Sequence, residues 1–147
     1  MPDKAIALFE RARAIYEREL DPTDSRMAGL YNNMALTLVD LGRFDEAEKL
    51  YKKAICIMES SDDGAPSAAI TYLNLANAIE ARIGLLDAEE TIGEYLTRAR
   101  ELLEDHKNLD GNYAFVCEKC ASVFDYYGYF MYAAELKERA RRIYEGT

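Results

Sequence analysis

The sequence contains one motif typical of metal or redox chemistry, two cysteines separated by two residues at Cys117 and Cys120. Such a pair can supply half of a zinc site or a redox-active dithiol. Zinc needs two further ligands, and the chain adds only Cys56 and His106, which do not form a ligand-like pair. A redox dithiol favours a helix N-terminus, whereas this motif lies inside a predicted helix. We therefore expect both cysteines to pack as small hydrophobic side chains, and we predict no metal and no cofactor.

No other group of residues suggests catalysis. His106 is the only histidine, and it lies at a predicted helix end, where a cation interacts favourably with the helix dipole. The sequence has no glycine-rich phosphate loop and no nucleophile elbow. We predict that the protein is not an enzyme.

Two asparagines point to binding instead. Asn33 and Asn74 lie 41 residues apart at equivalent positions of a repeated pattern. A carboxamide can donate to a carbonyl and accept from an N–H, so it can pair with the backbone of an extended peptide. The alternative is that each asparagine bonds to a neighbouring helix or to water, and the sequence leaves both interpretations open.

Composition restricts the kind of partner. The 147 residues carry a formal net charge of −9, which argues against a nucleic-acid backbone as the main partner. No apolar run approaches the ~18 residues of a membrane span, and the charged N-terminal stretch shows no secretory signal. Three cysteines do not make a disulfide framework, so we expect a cytoplasmic protein that binds neither nucleic acid nor membrane.

These residues are positioned by an internal repeat, which is clearest in 28–59, where two amphipathic helical patterns flank Gly42. Eight residues return at a fixed offset of 86, which indicates a solenoid of repeated helix pairs. They are Ala35, Gly42, Phe44, Ala47, Leu50, Ala54, Ile57 and Glu59, which return as Ala121, Gly128, Phe130, Ala133, Leu136, Ala140, Ile143 and Glu145.

Apolar residues at i, i+3, i+4 and i+7 spacing predict an all-α protein of about seven helices and no sheet. The connections within pairs are short, so paired helices must be antiparallel. We assign the whole chain, 1–147, to one solenoid domain with a half repeat at 3–20 and repeats at about 25–60, 67–105 and 112–145. The predicted helices are 4–20 with Asp3 as N-cap, 25–41, 44–60, 67–82, 87–105, 112–127 and 130–144.

The second repeat is longer than the first. From Ala35 to Ala54 is 19 residues, whereas from Ala76 to Ala99 is 23. Four extra residues are close to one helical turn, so the fifth helix grows without changing its apolar face. Gly93 lies inside this helix, and we expect a local irregularity there.

Two helices around a glycine, with small residues at three fixed positions, resemble the tetratricopeptide repeat. The longer repeat, with Tyr31-Asn32-Asn33 at its opening and Leu41-Gly42-Arg43-Phe44 at its turn, is similar to kinesin-light-chain-type repeats and to those of bacterial peptide-sensing regulators. The resemblance implies a right-handed superhelix whose first helices line a concave groove.

The resemblance also implies which side chains face that groove. Related proteins use asparagines there to hold a peptide backbone, and some use lysines to hold a carboxylate. This groove is locally acidic, so we expect a neutral or basic protein or peptide partner. The expected groove residues are Asn32, Asn33, Leu36, Val39 and Asp40; Leu73, Asn74, Asn77, Glu80 and Ala81; and Phe115, Glu118, Lys119, Ser122, Asp125 and Tyr126.

An aromatic cluster spans the turn before the last helix and the start of that helix, and it contains Phe124, Tyr126, Tyr127, Tyr129, Phe130 and Tyr132. Phe124 and Phe130 match Leu38 and Phe44, so we expect these two in the core. The tyrosines can form either a binding patch or ordinary surface.

These observations predict a non-enzymatic protein- or peptide-binding module. Three alternatives stay open: a scaffold that self-associates through its open terminal helices as a homo-oligomer, a fragment of a longer array, and the sensor segment of a larger regulator.

Overall fold

The computed structural model describes residues 2–146, which form seven α-helices and no strand. Every helix lies within two residues of its predicted bounds, so the all-α prediction is confirmed. The helices are α1 (Pro2–Glu19), α2 (Ser25–Asp40), α3 (Phe44–Glu59), α4 (Ala65–Ile83), α5 (Leu85–Asp105), α6 (Gly111–Tyr126) and α7 (Phe130–Tyr144).

Side-chain caps begin two of the helices. The carboxylate of Asp24 accepts a backbone N–H from the first turn of α2, and that of Asp110 accepts the N–H of Tyr113 at 2.9 Å. Both use free backbone donors that a helix N-terminus leaves unpaired. The predicted cap at Asp3 is wrong, because α1 already begins at Pro2. Asp3 instead lies in the first turn, where a negative charge favours the helix dipole.

Glycines connect the two helices of each hairpin. Gly42 lies between α2 and α3, and Gly128 between α6 and α7, with φ angles of 76° and 92°. These left-handed conformations are unfavourable for residues with a Cβ, so glycine allows the chain to reverse within two or three residues.

The connection between α3 and α4 is tighter than the predicted loop at 60–66. The fourth helix already begins at Ala65, with Pro66 buried in its first turn, where a missing N–H costs nothing. Gly64 caps this helix against the end of α3, close to the backbone of Met58.

Small residues form the closest contacts between helices. Nine alanines at the repeated positions are all buried, with exposed fractions of 0 or 1%, so the helices approach where a larger side chain would not fit. They are Ala35, Ala47 and Ala54 in the first repeat, Ala76, Ala88 and Ala99 in the second, and Ala121, Ala133 and Ala140 in the third.

The extra turn of the second repeat lies within α5. The buried alanines Ala88 and Ala99 keep the positions that Ala47 and Ala54 have in α3, although they are four residues further apart. α5 has 21 residues against 16 in α3, and it continues through Gly93 without interruption. The irregularity predicted at Gly93 is therefore absent, because a single glycine weakens a helix without breaking it.

A polar network attaches the last hairpin to α5. Arg139 of α7 donates to the carboxylate of Glu104 at 2.6 Å and to the hydroxyl of Tyr113 at 2.8 Å. Tyr113 donates in turn to the carbonyl of Leu103, and Tyr132 donates to Glu104 at 2.8 Å. Three helices are thus connected by hydrogen bonds that include a charged pair, the stronger kind.

The first helix is packed on one side only. α1 contacts α2, none of its described residues is fully buried, and Leu8 and Ile15 are exposed on its outer side.

Candidate functional site

Both cysteines of the Cys117–Cys120 motif are fully buried within α6. Burial raises the pKa of each thiol, so the nucleophilic thiolate is disfavoured. Among residues 2–146, no group of three or more His, Cys, Asp or Glu side chains is arranged to hold a metal ion. The prediction that these cysteines pack as hydrophobic side chains is confirmed.

His106 lies at the C-terminal end of α5, as predicted. Its ring stacks on that of Tyr113, with centroids 5.6 Å apart and planes 21° from parallel. This contact gives the histidine a structural role beside the network of Arg139 and Glu104.

The candidate binding site is the surface formed by α2, α4 and α6, which we call the groove face. On α2, Asn33, Leu36 and Asp40 are exposed, and Asn32 is half-buried. The side-chain oxygen of Asn32 is shielded from solvent and accepts no hydrogen bond from the described residues. Val39 is half-buried against the core.

α4 contributes less surface than the sequence predicted. Asn77 is exposed, whereas Asn74 and Glu80 are half-buried. The prediction that Leu73 faces the groove is wrong, because this side chain has no exposed surface. As the central helix, α4 packs against α2, α3, α5 and α6, so neighbours cover positions that solvent would reach on an outer helix.

On α6, the predicted residues Phe115, Glu118, Ser122 and Asp125 are exposed. Lys119 is also exposed, with its ammonium 5.3 Å from the centroid of the Phe115 ring. Glu118 and Ser122 border a shallow pocket shared with α7, so Glu118 lies toward the far side of α6 and Ser122 lies between the two sides. Lys119 is the one cation of the predicted set, beside four carboxylates.

The clearest binding geometry lies between α4 and α6. Asn77, Glu80, Ser122, Val123 and Tyr126 line an open pocket of about 370 Å³. Within it, the hydroxyl of Tyr126 donates to one carboxylate oxygen of Glu80 at 2.6 Å. The other carboxylate oxygen is shielded from solvent and has no hydrogen-bond partner among residues 2–146. We call this surface the α4–α6 pocket.

Tyr127 bonds to a residue of the α4–α6 pocket, and the groove prediction missed it. Its hydroxyl donates to the side-chain oxygen of Asn77 at 2.9 Å. Burial and the nearby charge of Glu80 raise its pKa, so the phenol stays protonated and able to donate. The signal was present in the sequence, because Tyr127 belongs to the aromatic cluster.

The aromatic cluster divides between core and surface. Phe124 is buried and packs edge-to-face on Tyr132, with ring centroids 4.9 Å apart. The prediction that Phe130 belongs to the core is wrong, because this side chain is 66% exposed. Its counterpart Phe44 is half-buried. Phe130 begins α7, the last helix in the described part of the chain, and no later helix covers it there.

Comparisons with known proteins agree with this architecture. A family model described as tetratricopeptide repeat matches residues 1–60 and 26–105. The chain is 37% identical over 57 residues to Protein KINESIN LIGHT CHAIN-RELATED 3 of Arabidopsis thaliana, a match that covers 39% of the chain and 9% of that protein.

Two solved structures share the fold. A putative kinesin light chain from Podosopora anserina with nearly identical TPR-like repeats has a TM-score of 0.60 at 19% identity, covering 97% of this chain and 66% of that one. BtubC (BKLC) from P. vanneervenii has a TM-score of 0.60 at 24% identity, covering 99% of this chain and 57% of that one. No helix among residues 2–146 is long and apolar enough to cross a membrane.

Proposed function

The chain belongs to the tetratricopeptide repeat family, whose repeats generally serve protein–protein interactions, and we propose that it binds an extended segment of a partner protein along the groove face. The proposed role is non-enzymatic. The three unpaired cysteines favour a reducing, cytoplasmic setting.

One observation carries the proposal, the open α4–α6 pocket with Asn77 beside the carboxylate of Glu80. The side-chain oxygen of Asn77 accepts from Tyr127, and its N–H groups are unbonded by other described residues. A peptide carbonyl would accept from Asn77, and a basic side chain would interact favourably with the charge of Glu80.

Asn33 and Asn74 extend this site toward α2. Their side chains form no hydrogen bond with the described residues, and they occupy equivalent positions on successive first helices. An extended peptide rises about 3.3 Å per residue, so a segment of several residues reaches from one asparagine to the other.

The partner that best fits is neutral or basic. Asp40, Glu80 and Asp125 lie along the groove face with Lys119 as the one predicted cation. An acidic partner would be repelled, and a lysine or arginine would gain a charge interaction with Glu80.

The test selects binders from a displayed library of random peptides of about 12 residues, using the full chain as bait. We expect enrichment of lysine and arginine, and a loss of about tenfold or more in affinity for Asn33→Ala/Asn74→Ala. Asn108→Ala, in the connection between α5 and α6, is the matched control and should bind normally. Glu80→Gln should reduce the preference for basic peptides. Selection of acidic peptides, or unchanged affinity in the double variant, would refute the proposal.

Self-association is a second proposal, supported by the open side of α1. Leu8 and Ile15 are 62% and 49% exposed there, in a helix with no fully buried residue.

A further inference from the structure

A second exposed surface lies at the turns of the second and third hairpins, next to the α4–α6 pocket, with which it shares Tyr126. Leu86 and Met131 are 88% and 89% exposed, which is unusual for large apolar side chains. Beside them Leu85, Tyr126 and Phe130 also keep more than half of their surface exposed. We call this surface the turn-edge patch.

The repeat register explains how the patch arises. Leu86 and Met131 occupy the position that Asp45 has in the first repeat, one residue into the second helix of each hairpin. Asp45 is exposed there and forms an ion pair with Arg82. Two of the three repeats thus place a large apolar side chain at a position that faces solvent in all three.

A cleft of about 600 Å³ is lined by Leu85, Leu86 and Tyr126 of this patch and lies between α5 and the turn that joins α6 to α7. The α5 residues that line the cleft lie on one face of the helix over three turns. Among them, Ile92 and Leu96 are buried and form the floor of the cleft. Gly93 lies on the same face, and a Cβ placed there would meet no atom within 4 Å. Another helix can therefore approach the α5 backbone closely at this point.

The rim of the cleft is acidic. Glu89 lines it, and Glu90 follows on the flank of the same helix. Neither carboxylate forms a hydrogen bond or ion pair with another residue in 2–146. The nearby cation Arg82 is engaged by Asp45 and Glu48. The cleft thus combines an apolar floor with uncompensated negative charge.

We infer that the turn-edge patch and its cleft bind an amphipathic helix of a partner protein, with an apolar stripe flanked by lysine or arginine. The stripe would fill the cleft at i, i+3, i+4 and i+7 spacing, and the basic residues would meet Glu89 and Glu90. A second copy of this chain would bring the same carboxylates and a net charge of −9, and an anionic membrane would likewise be repelled.

The probe is a labelled synthetic peptide of about 18 residues made of leucine and lysine in that spacing, titrated into the full chain by fluorescence anisotropy. We expect Leu86→Gln/Met131→Gln to weaken binding about tenfold or more. Both side chains are nearly fully exposed, so circular dichroism should show an unchanged fold. Leu109→Gln removes an equally apolar side chain, 54% exposed, between α5 and α6 and should bind as the unmodified chain does.

Charge provides an independent readout. Glu89→Gln/Glu90→Gln should weaken binding severalfold at low salt and less at high salt, because screening removes the contribution of exposed charges. A peptide with glutamate in place of lysine should bind at least about tenfold more weakly than the original. The groove variant Asn33→Ala/Asn74→Ala should bind the probe normally, which separates this inference from the proposed function.

Three results would overturn the inference. One is equal binding of the probe by Leu86→Gln/Met131→Gln. Another is equal affinity for the lysine and glutamate peptides. The third is a dimer of the unmodified chain in sedimentation that Leu86→Gln/Met131→Gln abolishes, since the occupant would then be a second copy.

Discussion

Gly64→Ala should destabilise the protein, although this glycine has an ordinary φ of −84°. A Cβ at this position would overlap the carbonyl oxygen of Met58 and lie 2.7 Å from its carbonyl carbon and 3.0 Å from its Cα. All three are backbone atoms at the end of α3, so no side-chain rotation relieves the overlap. Either the end of α3 or the start of α4 has to move.

The expected loss follows from three contributions. Alanine reduces the freedom of the unfolded chain, which favours folding by about 0.4–1 kcal/mol. Overpacking against atoms that cannot rotate away costs about 1–3 kcal/mol. Alanine is also a poorer N-cap than glycine, and Gly64 is the N-cap of α4. We therefore expect the free energy of unfolding to fall by about 2 kcal/mol, which is a decrease in Tm of roughly 5 °C for a chain of this size.

The assay is urea unfolding followed by circular dichroism, with Gly93→Ala as the matched control. Gly93 lies inside α5, and a Cβ on it would have no atom within 4 Å, so alanine should stabilise the helix by about 1 kcal/mol. The same substitution should thus act in opposite directions at the two glycines. Equal or greater stability of Gly64→Ala than of the unmodified chain would refute the close contact between α3 and α4.

Two further predictions concern the ends of the fold. Arg139 lowers the pKa of Glu104 by hydrogen bonding, so this carboxylate stabilises the fold above its unfolded pKa and loses the effect as pH falls through the lower folded pKa. Glu104→Gln should therefore cost about 1 kcal/mol in urea unfolding at pH 7, a modest value because Glu104 is 40% exposed, and progressively less as the pH falls from the unfolded pKa through the lower folded pKa; a loss that does not change with pH would contradict this. If α1 mediates self-association, light scattering should show a mass that rises with concentration and returns to that of a monomer in Leu8→Glu/Ile15→Glu, whereas a monomer at all concentrations would refute it.

Local constraints made the fold readable from the sequence. The alanines at 35, 47 and 54 and their counterparts are required by close helix contacts, and Gly42 and Gly128 by left-handed turns. Each requirement is satisfied by a single residue type at a fixed spacing, so it survives as a visible pattern. For the same reason the buried cysteines could be assigned from their equivalence to Tyr31 and Met34, which are also buried.

The candidate site was less predictable because exposure depends on which helices lie on either side. Leu73 has a groove position in the pattern and is nevertheless buried, since α4 has neighbours on several sides. Phe130 has a core position in the pattern and is exposed, since fewer helices cover α7. The partners of Asn77 and Glu80 were also hidden, because the tyrosines that bond to them lie 50 and 46 residues away in the sequence.

The two proposed surfaces meet at Tyr126. The cleft lies between α5, which keeps its buried face at Ala88 and Ala99, and the turn from α6 to α7. α6 packs against α4 instead, which brings Tyr126 to Glu80. Tyr126 lines both the α4–α6 pocket and the cleft. In the pocket its hydroxyl donates a hydrogen bond to Glu80. The two surfaces are therefore adjacent. They differ in chemistry, because the α4–α6 pocket offers hydrogen bonds to a peptide backbone, whereas the cleft offers apolar surface with carboxylates at its rim.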